Sequence, residues 1–441
     1  MYSDNIEKTL KKIGAEIGDE VEIKKEGKGY FGILMPRTQG DPDTLVIKLE
    51  NGYNIGISFE GCEVRLIKKG EMKKTEEKGS EEKGEISIIG CGGTISSKIE
   101  YKTGAVYPVI SPGELLATFP QISNIAKIKV RKLFSLLSED MAHEHWAILA
   151  KNVADEIKEG AKGVVVMHGT DTMGYTAAAL SFMLQNLPVP VVLVGAQRSS
   201  DRPSSDNELN LLNSIWVAKK SDVAEVTVCM HATQDDSYCY LHRGTRVRKF
   251  HNSRRDAFKS VNSLPIAAVD YRKNLFEKIN DYQKRDEKRK IELDTKINNN
   301  VAMVYVHPGI KPSLIDSLSK YDGVVMIGTG LGHLPTNPFN DAHAHSIYKN
   351  VKELIASGVA VVMASQTIYG RINMNVYSTG RLLKEAGVIG DGADWTPETA
   401  FVKLCWVLGH EKKLEKVKEL MMKNIAGELS ERSPVQKVPE I

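Results

Sequence analysis

The rhythm of apolar and polar positions changes twice along this chain. Up to residue 67 the apolar residues come in short alternating runs: Val21-Glu22-Ile23, 30–34, 45–49, 53–59 and 64–67. Alternation with period two predicts half-buried strands. Gly40-Asp41-Pro42-Asp43 and Asn51-Gly52 supply turn chemistry between them, the second pair being a hairpin signal. Ile6, Leu10 and Ile13 recur ahead of the strands at helical spacing. The pattern over 1–67 predicts a small β-barrel preceded by a helix.

From 68 to 85 the apolar signal is lost, and Met72 is its one sizeable apolar side chain. Such a segment buries too little to offset the entropy of ordering, which predicts a flexible linker. From 86 onward, unbroken β-branched runs alternate with helical periodicity. Strands are expected at 86–90, 163–167, 190–194, 225–230, 301–306, 323–327 and 358–363, and helices at 143–158, 174–186 and 346–356. Unbroken runs mark parallel strands buried on both faces. Their alternation with helices predicts a doubly wound α/β body. The stretch 272–299 holds nine Lys/Arg and six Asp/Glu and interrupts the rhythm. It reads as a solvated insertion and divides the body into domains 86–298 and 299–425, followed by a loose tail, 426–441.

Composition narrows the class without identifying a chemistry. With 441 residues, 41% hydrophobic and a formal net charge of +3, the chain can build more than one core, and its charge does not require a nucleic-acid partner. Its five cysteines lack CxxC spacing, so reduced thiols and a cytoplasmic setting are expected. The first residues, Met1-Tyr2-Ser3-Asp4-Asn5-Ile6-Glu7, do not read as a signal peptide, and no apolar run is long enough to span a bilayer.

The candidate chemistry lies at two strand ends. One reads Ile89-Gly90-Cys91-Gly92-Gly93-Thr94-Ile95, the other Met167-His168-Gly169-Thr170-Asp171-Thr172. Open α/β sheets bind ligands just past such carboxyl ends. Two glycines permit a sharp turn that presents the Thr94 hydroxyl, and that hydroxyl becomes a nucleophile when a base takes its proton. Taken alone, this motif reads mostly as a structural strand–turn followed by a capping threonine. Asp171 can hold an ammonium or orient a base, and it can equally cap the helix starting near Gly174. Lys249 follows Arg243, Arg246 and Arg248. A desolvated lysine beside other cations gives up its proton readily and serves as a base; a solvated basic loop is the alternative. His143 and His145, like His343 and His345, are two apart and diverge on a helix, so no catalytic metal is expected.

In order along the chain, Gly92-Gly93-Thr94-Ile95, Ser138-Glu139-Asp140-Met141, His168-Gly169-Thr170-Asp171-Thr172 and Lys249 resemble the bacterial-type L-asparaginase/glutaminase family over residues 85 to 425. The resemblance implies that Thr94 attacks a side-chain amide and that Thr170, Asp171 and Lys249 form a second catalytic cluster. It further implies that Ser138 and Glu139, with Asp171, hold the amino-acid end of the substrate. Tyr107 falls in a segment, 102–108, similar to the mobile loop whose tyrosine assists the nucleophile. Cys91 stands where free asparaginases commonly carry threonine; its place on the strand predicts an inward, packed thiol. Glu139 stands where many carry glutamine, which leaves the amide preference open.

The amino-terminal module, with Gly32-Ile33-Leu34-Met35-Pro36, resembles the one carried by the ammonia-supplying subunits of archaeal glutamyl-tRNA(Gln) amidotransferases. Gly328-Thr329-Gly330-Leu331-Gly332-His333-Leu334-Pro335 and Tyr369-Gly370-Arg371 share that resemblance. It implies an E-type partner that uses ATP and Mg to phosphorylate Glu-tRNA(Gln) and receives ammonia, with no cofactor in this chain. It also implies a homodimeric core within a heterotetramer and tRNA contact mainly through the partner. A free-standing L-asparaginase is the alternative, and a decayed hydrolase that recruits tRNA is a third reading.

Overall fold

The computed structural model describes residues 2–35, 41–49, 54–70, 84–92, 97–99, 106–108, 115–116, 118–198 and 205–433. The Asn51-Gly52 turn and most of the charged linker lie outside them. The amino-terminal module is the expected five-stranded antiparallel unit, with strand order 54–58, 44–48, 28–34, 20–25, 63–68. Alternation places Val21, Ile23, Leu34, Leu45 and Ile47 on one face, where Ile6 and Leu10 of the helix Asp4–Lys12 close the core. Gly32 sits where the strands cross so closely that a Cβ would collide with the Lys48 carbonyl.

The body is built on an eight-stranded sheet. Its order is 275–278, 267–270, 239–243, 226–231, 191–194, 164–167, 86–92, 128–136. The five strands from Val226–His231 to Ile128–Leu136 are mutually parallel. Period two then sorts their side chains. Ile89, Val164, Val166, Val191 and Leu193 pack against the helices His143–Lys158 and Met173–Met183. Ile86, Ile88, Val165, Val192 and Val194 pack on the other face against Asn207–Lys220. Both faces are covered, which is why these strands read as unbroken apolar runs.

A second, parallel sheet joins Val301–Tyr305, Gly323–Gly328 and Ala360–Ser365. The helices Tyr348–Ala356, Ser378–Ala386 and Pro397–Leu408 complete its core. Val402 of the last helix also enters the first core, so the two halves share a packed seam. Among the described residues, no helix is long and apolar enough to cross a membrane.

Three expectations change. The helix expected at 174–186 ends at Met183, and Leu184–Gln185 turns into a short strand paired with Glu292–Leu293. That pairing belongs to the second change: 272–299 is mostly exposed to solvent, with no residue buried, but it is strapped to the body. Leu275–Lys278 extends the large sheet, Arg285 donates to the Ala218 carbonyl at 2.8 Å and Arg289 to that of Leu187 at 2.6 Å. Its charges thus satisfy loop ends and neighbouring carboxylates. Third, the tail is not loose where it begins. Glu428 is fully buried against Lys403, the Thr245 hydroxyl donates to the Ala426 carbonyl and Arg246 to that of Gly427. Residues 434–441 lie outside the description.

Candidate active site

Strand register brings three chain segments to one edge of the large sheet. Met167 lies opposite Gly90 on one side and Val194 on the other, so Gly92, the segment 168–171 and Gly195 leave the sheet together. Thr94 lies outside the described residues, as do Gly93 and Ile95. Tyr107 is in the strand Val106–Pro108, paired with Ser97–Ile99 so that Tyr107 faces Lys98 in register.

The second cluster is closely assembled. Lys249 ends the strand Val247–Lys249. Its Nζ donates to Thr170 Oγ1 at 2.9 Å and to Asp171 Oδ1 at 2.8 Å. Asp171 had two readings, and its carboxylate goes to the lysine. The helix Met173–Met183 begins at Thr172 without a side-chain cap, and the Thr172 hydroxyl donates instead to the Ser138 carbonyl at 2.6 Å. That bond draws the buried Ser138 up to the loop. Gly169 lies so close that a Cβ there would come within 2.7 Å of Ser138 Cβ. Glu139, the next residue, is exposed.

The arginines expected to act on Lys249 each have a carboxylate partner of their own. Arg243 makes a two-pronged bond to Glu225 at 2.7 and 3.0 Å. Arg246, almost wholly buried, pairs with Asp394, and Arg248 lies 3.0 Å from Glu398. A desolvated guanidinium needs a carboxylate partner, so each arginine is neutralised locally and Lys249 pairs with Asp171. Beside that pair is a cleft of about 370 Å³ lined by Tyr175, Phe250, His251 and Glu398, among others. Burial pushes the Tyr175 hydroxyl up to about 12, so it remains a neutral donor at physiological pH.

Cys91 is packed inward as expected. It is buried in the core beneath the helix His143–Lys158, and desolvation pushes its thiol far above the usual range, leaving negligible nucleophilic thiolate. Among the described residues no three His, Cys, Asp or Glu side chains converge on a metal position. His143 lies against Trp146 and Cys405, His145 accepts from the Ala142 N–H, and His343 and His345 are exposed.

Sequence reasoning assigned no role to His168. The ring is buried, with Nδ1 2.6 Å from the Gly169 carbonyl and Nε2 2.9 Å from Thr176 Oγ1. Desolvation lowers its pKa to about 4. The neighbouring strand end is held as firmly. Asn210 donates to the Gly195 carbonyl at 3.0 Å, and buried Asp206 accepts from the Gln197 and Arg198 N–H groups. The one sequence signal was a polar ring placed between an apolar strand and a glycine.

The chain matches the family model "Asparaginase, N-terminal" over residues 85–280, "Glutaminase/Asparaginase C-terminal domain" over 300–421 and "GatD N-terminal domain" over 15–67. It is 50% identical to the D-type subunit of the glutamyl-tRNA(Gln) amidotransferase of Pyrococcus abyssi, covering 96% of this chain and 97% of that one. It is 46% identical to that of Methanobrevibacter smithii, covering 99% of each. Among solved structures, the thermostable L-asparaginase of Thermococcus kodakarensis superposes with a TM-score of 0.69 at 31% identity, covering 79% of this chain and 99% of that one. L-asparaginase I of Vibrio cholerae gives 0.67 at 30% identity, covering 78% and 98%.

Proposed function

The chain belongs to the family of D-type glutamyl-tRNA(Gln) amidotransferase subunits and carries its asparaginase-type amidohydrolase body; from that premise we propose that Thr94 releases ammonia from glutamine, or asparagine, for transamidation of Glu-tRNA(Gln). The Thr94 oxygen attacks the carboxamide carbon, and its proton ends on the departing nitrogen. Ammonia leaves and an ester to Thr94 remains. Water then adds to that ester, its proton returns to the Thr94 oxygen, and glutamate departs. Lys249, oriented by Asp171, moves protons at the Thr170 hydroxyl, first toward the leaving nitrogen and then from the attacking water. Backbone N–H groups at the strand ends stabilise the oxyanion, worth about 3–4 kcal/mol of barrier per donor. Ser138, Glu139 and Asp171 hold the amino-acid end, and Tyr107 assists the nucleophile.

The observation that supports this reading is Lys249 donating at once to Thr170 and Asp171 beside an open cleft. In the same proposal ammonia passes to the E-type partner, which uses ATP and Mg to activate Glu-tRNA(Gln). Two copies of this chain form the core of a heterotetramer. The test is ammonia release from glutamine by the purified chain, with and without the E-type partner and Glu-tRNA(Gln). Strong stimulation by the complete set is the expected result. Fast, unstimulated turnover by the lone chain would favour a free-standing L-asparaginase, a reading that leaves the module at 15–67 without a purpose.

A further inference from the structure

The segment bearing Thr170 and Asp171 leaves its strand through a single peptide, Gly169–Thr170, and three buried side chains stand behind it. His168 Nδ1 is 2.6 Å from the Gly169 carbonyl oxygen. His168 Nε2 is 2.9 Å from Thr176 Oγ1. Trp146 Nε1 donates to that same hydroxyl at 3.1 Å. His168 and Thr176 are at most 1% exposed, and Trp146 is 4% exposed.

The chemistry of the two ends sets the direction of this chain of bonds. An indole N–H only donates and a carbonyl oxygen only accepts. Burial without a carboxylate partner keeps the imidazole neutral, so one ring nitrogen carries a proton. The Gly169 carbonyl requires that proton on Nδ1. Nε2 is then an acceptor, and the Thr176 hydroxyl, its oxygen occupied by Trp146, supplies the donor. A trans peptide points its C=O and N–H in opposite directions. Holding the Gly169 oxygen on the ring therefore fixes the orientation of Thr170, whose hydroxyl meets Lys249. The surroundings leave little alternative: a Cβ on Gly195 would come within 2.8 Å of both the His168 carbonyl and Thr170 Cγ2.

We infer that His168 is a positioning residue: locked as the Nδ1–H tautomer by Thr176 and Trp146, it orients the Gly169–Thr170 peptide so that Thr170 engages Lys249. This inference rests on the carboxamide-hydrolysis reading above for its kinetic consequence, though not for the tautomer itself.

Two measurements test it. Nitrogen NMR of histidine-labelled full-length protein at neutral pH should show His168 protonated at Nδ1 and bare at Nε2. The opposite tautomer, or an imidazolium, overturns the inference whatever the enzyme does. Kinetics of ammonia release, read with thermal unfolding, form the second arm. His168→Phe should lose about 100-fold in kcat, the scale of a misplaced catalytic group, with KM nearly unchanged. His168→Asn, whose amide N–H can replace Nδ1–H, should recover most of that loss. Thr176→Val, which keeps the shape and removes the hydroxyl, should lose about tenfold in kcat and remains informative if His168→Phe does not fold. Equal damage in His168→Phe and His168→Asn, a loss confined to KM, or wild-type kcat in Thr176→Val overturns the role. No ammonia release by the wild-type protein, assembled with its partner, would instead sink the hydrolysis reading and leave the tautomer result standing.

Discussion

Lys249 and Lys403 are held by similar bonds in different regions of the body, and their difference separates a proposed chemical site from a structural pin. An ammonium has three donors. Lys403 gives them to the carbonyls of Met421 and Lys423 and to Glu428 Oε1, at 2.7, 2.6 and 2.5 Å, with both charged side chains fully buried. Desolvation lowers its pKa against the opposing pull of Glu428. Lys249 gives two donors, to Thr170 and Asp171, among the described residues, and its carboxylate partner is 68% exposed. One lysine has no donor left and closes the tail onto the body. The other has a third donor with no partner among the described residues, beside a cleft, as its proposed role in proton transfer requires.

Substitutions should separate the two in opposite ways. Lys249→Met is expected to lower kcat for ammonia release by about 10³-fold. It should barely shift the unfolding midpoint, because an ion pair with so exposed a carboxylate contributes about 0–1 kcal/mol. A large loss of stability with modest loss of rate would reverse its assignment. Lys403→Met leaves the Glu428 carboxylate buried and unpaired, at a cost of about 3–5 kcal/mol, measured by denaturant unfolding. Adding Glu428→Leu should restore much of that loss; no restoration would mean the pair is not the source.

The next effect is graded with pH. His168 and His242 are buried, and desolvation lowers their pKa values from 6.5 to about 4 and about 3. Below pH 6.5 the unfolded chain binds protons that these rings refuse, so stability falls as pH falls. For His168 the window is 6.5 down to about 4, and for His242 it reaches about 3. Each contributes a slope approaching about 1.4 kcal/mol per pH unit. His168→Asn should remove its share of the slope; an unchanged profile would contradict the neutral, buried ring. The smallest expected effect is on catalysis by Cys91→Ser. The thiol is packed in the core, so kcat should stay near wild type, while an unpaired buried hydroxyl costs about 1–3 kcal/mol of stability. A collapse in kcat with normal stability would make the sulfur a participant.

What was legible in the sequence was local. Unbroken apolar runs marked the parallel strands, and small residues followed by hydroxyls marked their ends. Thr170, Asp171 and Lys249 do meet, although they come from separated segments. What was not legible depends on distant partners. Arg246 finds Asp394 at a separation of 148 residues, and Arg248 finds Glu398 at 150, so a local cluster of arginines suggested a cationic surround that the fold neutralises. The anchoring of 272–299 and of the start of the tail was not visible because their charges meet backbone carbonyls and carboxylates elsewhere in the fold. His168 was visible as a residue, but its role depends on Trp146 and Thr176, which reach it only when two helices pack on one sheet face.

The account rests most heavily on Thr94 as nucleophile, and ammonia release from glutamine by Thr94→Ala tests it most directly. The assay compares the variant with wild type, each assembled with the E-type partner and Glu-tRNA(Gln). The account predicts robust release by wild type and none above background by Thr94→Ala, with equal unfolding midpoints. Substantial residual turnover by the variant would contradict it.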